Sequence, residues 1–218
     1  MIQAEYRNID GMIALVHAPD SPGPYPVFLL LHGLTGDETS MWVFTARLPE
    51  QALLIAPRGI YKASPKGYSW RFGDQKGLST IADFNNAIDS LSRLLSPQNF
   101  PDADFAQLKL VGFSQGAALA LSMLLLHPGL IHSAAGLSGF LPEGSEVLAD
   151  FHPLSGKRVF LAHGTLDKQV PIALGRRAVE ILELAGASVT YCEDEVGHKL
   201  SASCFRGLEA FFSRRDNF

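Results

Sequence analysis

The chain has 218 residues, of which 47% are hydrophobic and 18% are charged, and it contains only two cysteines. A globular chain of this length buries roughly 70% of the surface that its unfolded form exposes, so neither a disulfide-rich scaffold nor an intrinsically disordered protein fits. Eighteen basic residues against 22 acidic residues give a net charge of −4, which provides no general attraction to nucleic acid.

Short β-branched or leucine-rich runs alternate with longer helical patterns, which is typical of an α/β protein. Apolar runs without polar alternation predict buried parallel strands. These runs occupy residues 26–32, 52–56, 108–113 and 159–162, and weaker strand patterns occupy residues 13–17, 133–137 and 189–192. Helices are predicted at residues 81–95, behind a Thr80-x-x-Asp83 capping box, and at residues 115–126, 172–185 and 201–212. Without a repeat or a linker, residues 1–218 are expected to form one domain.

Residues 112–116 read Gly-Phe-Ser-Gln-Gly and place Ser114 at the junction of a predicted strand and a predicted helix. In this context the G-x-S-x-G pattern forms a sharp turn, because the glycines lack the Cβ atoms that would clash as the turn closes. The serine hydroxyl then projects above the sheet, so Ser114 is the candidate nucleophile. Ser138 does not match the pattern, since Phe140 stands where the second glycine is required.

A serine nucleophile needs a histidine base and a carboxylate that orients the histidine, in the chain order serine, acid, histidine. Asp167 lies in a loop between a predicted strand and a predicted helix, and His198 lies between the last strand and the last helix. Of the seven histidines, only His198 follows Asp167. This order favours Asp167 as the acid and His198 as the base. Glu143, Glu146 and Asp150 follow another predicted strand and remain topological alternatives for the acid.

The tetrahedral intermediate of such a reaction needs backbone N–H donors for its oxyanion. One donor is typically the amide after the nucleophile, and the other comes from the loop after an early strand. The amide after the nucleophile is that of Gln115. Gly33 turns the chain after the 26–32 strand, and we expect the Leu34 amide to supply the second donor.

These motifs resemble the phospholipase/carboxylesterase family of α/β-hydrolases, which includes small bacterial carboxylesterases and acyl-protein thioesterases. The matching segments are LHGL at 31–34, GFSQGA at 112–117, LSGFLP at 137–142, HG at 163–164 and GH at 197–198. The resemblance implies an α/β-hydrolase fold with a mostly parallel central sheet, helices on both faces and no separate cap domain. It also implies the roles given above for Ser114, Asp167 and His198 and for the amides of Leu34 and Gln115.

Two segments differ from the thioesterase branch of that family. Residues 36–42, GDETSMW, form a longer and more acidic loop than the compact Gly-Asp loop of the thioesterases. Residues 67–72, GYSWRF, look more like the Gly-Tyr-x-Trp-Phe stretch of bacterial carboxylesterases, with Arg71 inserted before the aromatic residue. Large side chains in these segments and in the 137–142 segment are candidates to wall a substrate pocket. They are Met41, Trp42, Trp70, Phe72 and Phe140.

The expected activity is hydrolysis of carboxylic esters with short or medium acyl chains through an acyl-enzyme, with no cofactor and no metal. The alternatives are a thioesterase or lysophospholipase with the same triad, or a hydrolase-fold ligand receptor with little turnover. The aperiodic segment from Arg58 to Gly77 is expected to cover the site. The expected partner is a small-molecule ester, and the expected assembly is a monomer or a homodimer.

Residues 1–10 carry three charged side chains and no apolar h-region, so no secretory signal is expected. The nearly apolar stretch at residues 117–126 has about half of the ~20 residues that a membrane span needs, so no stable membrane insertion is expected. A cytoplasmic location is predicted. Cys192 and Cys204 lack metal-ligand spacing and are expected to be reduced, with a single disulfide between them as the alternative.

Overall fold

The computed structural model of the chain describes residues 3–73 and 79–213. The strands are β1 (Glu5–Ile9), β2 (Met12–His17), β3 (Tyr25–Leu31), β4 (Leu53–Pro57), β5 (Tyr61–Lys62), β6 (Tyr68–Ser69), β7 (Ala103–Phe113), β8 (Ser133–Leu137), β9 (Arg158–Gly164) and β10 (Ser188–Asp194). The α-helices are α1 (Asn85–Leu94), α2 (Gln115–Leu126), α3 (Ser145–Ala149), α4 (Ile172–Leu184) and α5 (Ala202–Ser213). Short 3-10 helices occupy Trp42–Arg47 and Ile81–Phe84.

The main sheet has the strand order β1-β2-β4-β3-β7-β8-β9-β10. Its strands run parallel from β4 through β10, and β1 and β2 form an antiparallel hairpin at one edge. The strand order reverses between β3 and β7, and α/β sheets form their ligand sites outside such a switch point. This topology confirms the predicted α/β-hydrolase fold with a mostly parallel sheet.

Helices cover both faces of the sheet, so alternate side chains of its central strands are buried on opposite sides. On β3, Leu29 and Leu31 belong to the core that α1, α2 and α4 complete. Phe28 and Leu30, on the other face, pack into the core that α5 and the Trp42–Arg47 helix complete. Burial on both sides explains why these strands show apolar runs without polar alternation.

Local signals set most element boundaries. The predicted capping box is present, since the Thr80 amide donates a hydrogen bond to the Asp83 carboxylate at 2.8 Å. The helix predicted for 81–95 begins as one 3-10 turn and continues as α1, which ends before Pro97. The edge strand β1 was not predicted, because its side chains are mostly exposed and its sequence, EYRNI, is largely polar.

The cysteines differ from the expectation of two reduced thiols. Cys192 on β10 and Cys204 on α5 form a disulfide with a Cα–Cα distance of 5.7 Å. The loop after β10 turns back so that α5 packs on the sheet beside that strand, and this packing brings the two residues together. Sequence spacing carries no signal for such a pair.

Within the described residues, we find no helix whose length and apolar character would let it cross a membrane.

Candidate active site

Ser114 lies on the turn between β7 and α2. Its backbone has φ 53° and ψ −116°, a conformation that residues other than glycine rarely adopt. A Cβ atom at Gly112 would overlap the Gly116 carbonyl, and one at Gly116 would overlap the Leu31 carbonyl, so both glycines are required for the turn to close. The Ser114 amide donates to the Leu137 carbonyl at 2.8 Å, which ties the turn to the end of β8.

His198 and Asp167 lie in the loops that follow the adjacent strands β10 and β9, at the sheet edge where Ser114 lies. The distance from His198 Nδ1 to Asp167 Oδ2 is 2.7 Å, which makes a hydrogen bond. The Phe113 ring packs against the imidazole with a centroid distance of 4.9 Å, so His198 lies beside the nucleophile turn. Because Nδ1 bonds Asp167, Nε2 is the imidazole nitrogen that remains for proton exchange.

The Asp167 side chain is fully buried and is held by the backbone as well as by His198. Its Oδ1 accepts hydrogen bonds from the amides of Gln169 at 2.8 Å and Val170 at 3.0 Å. Burial raises the pKa of Asp167, but the hydrogen bonds from Val170, His198 and Gln169 outweigh it and hold the pKa below its usual value. The carboxylate therefore stays ionised at neutral pH.

The alternative acids lie elsewhere. Glu146 forms an ion pair with Arg177, and Glu143 and Asp150 are exposed. Asp167, by contrast, bonds directly to the imidazole. The geometry therefore favours Asp167 for this position.

The loop that follows β3, residues 33–36, carries one of the two predicted oxyanion donors, and we call it the oxyanion loop. Gly33 lies against the nucleophile, since a Cβ atom there would lie 3.2 Å from Ser114 Cβ. The Leu34 amide follows one residue later, and the Gln115 amide begins α2. The structure thus places the residue before Leu34 against the nucleophile turn and the Gln115 amide directly after Ser114.

The oxyanion loop is bonded to β6 through the backbone. The Thr35 amide donates to the Tyr68 carbonyl at 2.9 Å, and the Tyr68 amide donates to the Gly36 carbonyl at 2.9 Å. A Cβ atom at Gly67 would overlap the Thr35 carbonyl, so the approach of the two segments requires glycine there. The position of the oxyanion loop therefore depends on the segment at 61–73.

Buried side chains form hydrogen bonds with the backbone next to the oxyanion loop. The Trp70 indole donates to the His32 carbonyl at 2.8 Å, and the Trp70 amide donates to Gln115 Oε1 at 2.9 Å. His32 Nε2 accepts from the Gly59 amide at 2.8 Å, and its Nδ1 lies 2.7 Å from the Gly33 carbonyl. Burial lowers the pKa of His32, so this imidazole is neutral and bonds as donor at Nδ1 and acceptor at Nε2. These hydrogen bonds connect the oxyanion loop and Gln115 to the buried residues Trp70 and His32.

An ion pair between the buried Glu38 and the partly exposed Arg58 was not predicted from the sequence. The guanidinium donates to both carboxylate oxygens, at 2.7 and 2.6 Å, and lies 4.6 Å from the centre of the Tyr68 ring. The hydrogen bonds from Arg58 lower the pKa of Glu38. The available signal was weak: Asp37 and Glu38 follow β3, and Arg58 follows β4, which is the neighbour of β3 in the sheet.

The five residues predicted to wall a substrate pocket are dispersed. Met41 borders a cavity of about 420 Å³, and Phe72, 75% exposed, borders a second of about 380 Å³. Trp70 is fully buried, which corrects the expectation that it contacts substrate: its indole is used to hold His32. Trp42 and Phe140 pack at the margins of the two cores.

The segment predicted to cover the site, from Arg58 to Gly77, contains the β5–β6 hairpin. The last four residues of that segment, 74–77, lie outside the described residues. Among the residues that the structure describes, no group of three or more His, Cys, Asp or Glu side chains is arranged to hold a metal ion.

The chain order serine, acid, histidine at the carboxyl edge of a mostly parallel sheet is that of the α/β-hydrolases. A family model described as phospholipase/carboxylesterase matches residues 12–214. The chain belongs to this family, which confirms the resemblance recognised in the sequence motifs.

Known proteins are similar to this chain over different lengths. Carboxylesterase SOBER1 of Arabidopsis thaliana is 33% identical over 106 residues, which cover 48% of this chain and 46% of that protein. The chain therefore matches less than half the length of that relative. Acyl-protein thioesterase 1 of Saccharomyces cerevisiae is 31% identical over 173 residues, which cover 71% of this chain and 76% of that protein. The crystal structure of a Mesorhizobium loti carboxylesterase superposes with a TM-score of 0.78 at 20% identity, over 96% of this chain and 98% of that one, which supports the fold.

Proposed function

We propose that this chain hydrolyses carboxylic esters of short or medium acyl chains through an acyl-enzyme, with Ser114 as nucleophile, His198 as base and Asp167 as the orienting acid. The observation that carries the proposal is the 2.7 Å hydrogen bond between His198 and Asp167, formed beside the strained serine turn. An imidazole held in this way presents Nε2 to its surroundings, which is the requirement for activating a serine hydroxyl.

In the acylation step, His198 Nε2 accepts the proton of Ser114 Oγ as that oxygen attacks the ester carbonyl carbon. The carbonyl oxygen becomes an oxyanion and accepts hydrogen bonds from the amides of Leu34 and Gln115. The ester C–O bond then breaks, and the His198 imidazolium gives its proton to the departing alcohol oxygen. Asp167 stays ionised throughout, because its backbone hydrogen bonds hold its pKa low.

Deacylation repeats these steps with water as the nucleophile. His198 removes a proton from the water, the oxyanion forms again at the same amides, and the proton returns to Ser114 as the acid product leaves. The restriction to short or medium acyl chains rests on the cavity of about 380 Å³ that Leu34, Tyr61 and Phe72 border, which is near the lower end of ligand-pocket sizes.

A fluorophosphonate probe and p-nitrophenyl butyrate test the proposal together. We expect the wild-type chain to be labelled at Ser114 and to hydrolyse the ester, and Ser114→Ala to lose labelling and at least about 10³-fold in kcat. Ser138→Ala is the matched control, since Ser138 also has positive φ at the end of the neighbouring strand, and labelling at Ser114 should persist. An unlabelled wild type, or equal labelling of Ser114→Ala, would overturn the proposal and favour a ligand receptor.

Thioester hydrolysis is the second candidate, because the acyl-protein thioesterase of S. cerevisiae is similar over 71% of this chain. The same triad would attack a thioester carbonyl, so the distinction lies in the leaving group. Comparing kcat/KM for an acylated cysteine peptide and for p-nitrophenyl butyrate separates the two: a higher value for the peptide favours the thioesterase.

A further inference from the structure

A cavity of about 420 Å³ is bordered by Phe113 and by Lys199, the residue after His198, and is lined mainly by apolar side chains. Phe205 of α5 stacks on Phe44 at a centroid distance of 5.4 Å, and Phe44 faces Phe113 at 6.3 Å. Phe113 in turn contacts the His198 ring at 4.9 Å. One continuous aromatic wall therefore runs from the candidate catalytic imidazole into this cavity, which we call the His-side pocket.

The His-side pocket and the cavity near Phe72 share Leu34, whose amide is the predicted oxyanion donor, and they have no other described lining residue in common. In acyl transfer the histidine gives its proton to the leaving-group oxygen, so the leaving group must lie on the histidine side of the carbonyl carbon. Lys199 and Leu200, which follow His198 directly, both line the His-side pocket. The acyl chain is then left with the cavity near Phe72.

We propose that the His-side pocket binds the alcohol part of the ester and selects a neutral, apolar alcohol. The inference rests on the proposed function, and it names the substrate class of that site. Among the described residues that line this pocket none is acidic, and Lys199, exposed at its rim, is the charged one. Burial in this pocket stabilises an apolar alcohol, whereas the trimethylammonium group of a choline ester loses hydration there without an acidic partner.

Two esters of the same shape provide the sharpest test. In 3,3-dimethylbutyl butyrate and butyrylcholine the alcohols are nearly isosteric and differ by one positive charge. We expect kcat/KM of the wild type to favour the neutral ester by at least about tenfold. A choline ester that is hydrolysed equally well or better would overturn the inference and would indicate that the phenylalanine rings bind a quaternary ammonium.

Val43→Asp places a carboxylate at this pocket at a position that is 64% exposed, so the core is not disturbed. The preference for the neutral ester should fall by roughly two- to fivefold, the effect of a solvent-exposed charge pair. Val147→Asp, at a 69% exposed valine on α3, is the matched control and should keep the wild-type ratio. An unchanged ratio in Val43→Asp, or an equal change in Val147→Asp, contradicts the inference.

Fluorophosphonate labelling separates this inference from the proposed function, because the probe expels fluoride and needs no alcohol subsite. A wild type that is labelled at Ser114 but shows no preference, or hydrolyses neither ester, overturns the inference and leaves the serine nucleophile in place. A wild type that is not labelled overturns both.

Discussion

The Asp167 carboxylate has no exposed surface and yet is held in its ionised form. The free energy that burial costs is offset by the amides of Gln169 and Val170 and by His198, all of which stabilise the charge. His163 lies close by, with its Nε2 at 3.6 Å from Asp167 Oδ2, and is bonded to the Val170 carbonyl at 2.8 Å. A carboxylate fixed in this way can hold the imidazole proton on Nδ1 through the whole reaction.

Asp167→Asn tests this role. The asparagine amide can donate to His198 Nδ1, which moves the imidazole proton to Nε2 and removes the base. We expect kcat for p-nitrophenyl butyrate to fall by roughly 10³- to 10⁴-fold. Asp150→Asn is the matched control, because Asp150 was an alternative acid and is exposed. If Asp167→Asn keeps more than a tenth of wild-type kcat while folded by circular dichroism, Asp167 is not the orienting acid.

At the scale of elements, the oxyanion loop and β6 act as one unit. Two backbone hydrogen bonds join Thr35 and Gly36 to Tyr68, and the Glu38–Arg58 ion pair packs against the Tyr68 ring. The Glu38 side chain is only 4% exposed and the Arg58 side chain is 26% exposed, so the carboxylate is the shielded member of the pair. A displacement of β6 would therefore be transmitted directly to the Leu34 amide.

Gly67→Ala is expected to produce that displacement. Gly67 has φ +75°, and an added Cβ would overlap the Thr35 carbonyl. Because a small misplacement of a catalytic group costs up to about 100-fold in rate, we expect kcat for p-nitrophenyl butyrate to fall by roughly 10- to 100-fold.

Gly73→Ala is the matched control for this substitution. Gly73 has the same φ of +75°, but nothing lies within 4 Å of an added Cβ. It therefore carries the backbone strain without the overlap, and kcat should stay within about twofold of wild type. Equal losses in the two variants would show that contact with the oxyanion loop is not the cause.

At the scale of the whole molecule, the disulfide links the end of the sheet to the last helix. Residues 192–204 form a closed loop that contains His198, with Cys192 on β10 and Cys204 on α5. Disulfides are rare in reducing compartments, so this bond is an observation against the cytoplasmic location predicted from the sequence. The location itself remains a prediction that thiol measurements on protein from its native compartment can decide.

The double variant Cys192→Ala/Cys204→Ala is expected to lose roughly 3 kcal/mol of unfolding free energy in urea denaturation, because a loop of this length is no longer closed in the unfolded chain. Reductant should lower the stability of the wild type by a similar amount and leave the double variant unchanged. Two titratable thiols in the untreated, denatured wild type would contradict the presence of the bond.

Much of the fold could be predicted because its signals are local. The strand predicted at 133–137 has the same bounds as β8, and the helix predicted at 115–126 coincides with α2. Burial on both faces of a strand gives a continuous apolar run in the sequence. A capping box or a proline likewise marks a helix end without any contact to distant residues. The Ser114 motif is likewise a local pattern, and the order of Asp167 and His198 follows from the parallel topology that those runs imply.

The sequence by itself thus determined the central strands of the sheet, four of the five α-helices among the described residues and the residues from which a triad could be built. Only the tertiary structure decided which side chains meet: Cys192 with Cys204, Glu38 with Arg58, and the Trp70 indole with His32 rather than with a substrate. The physical reason is that backbone periodicity reports burial within one element. Contacts between elements depend instead on how each helix and loop packs against the completed sheet.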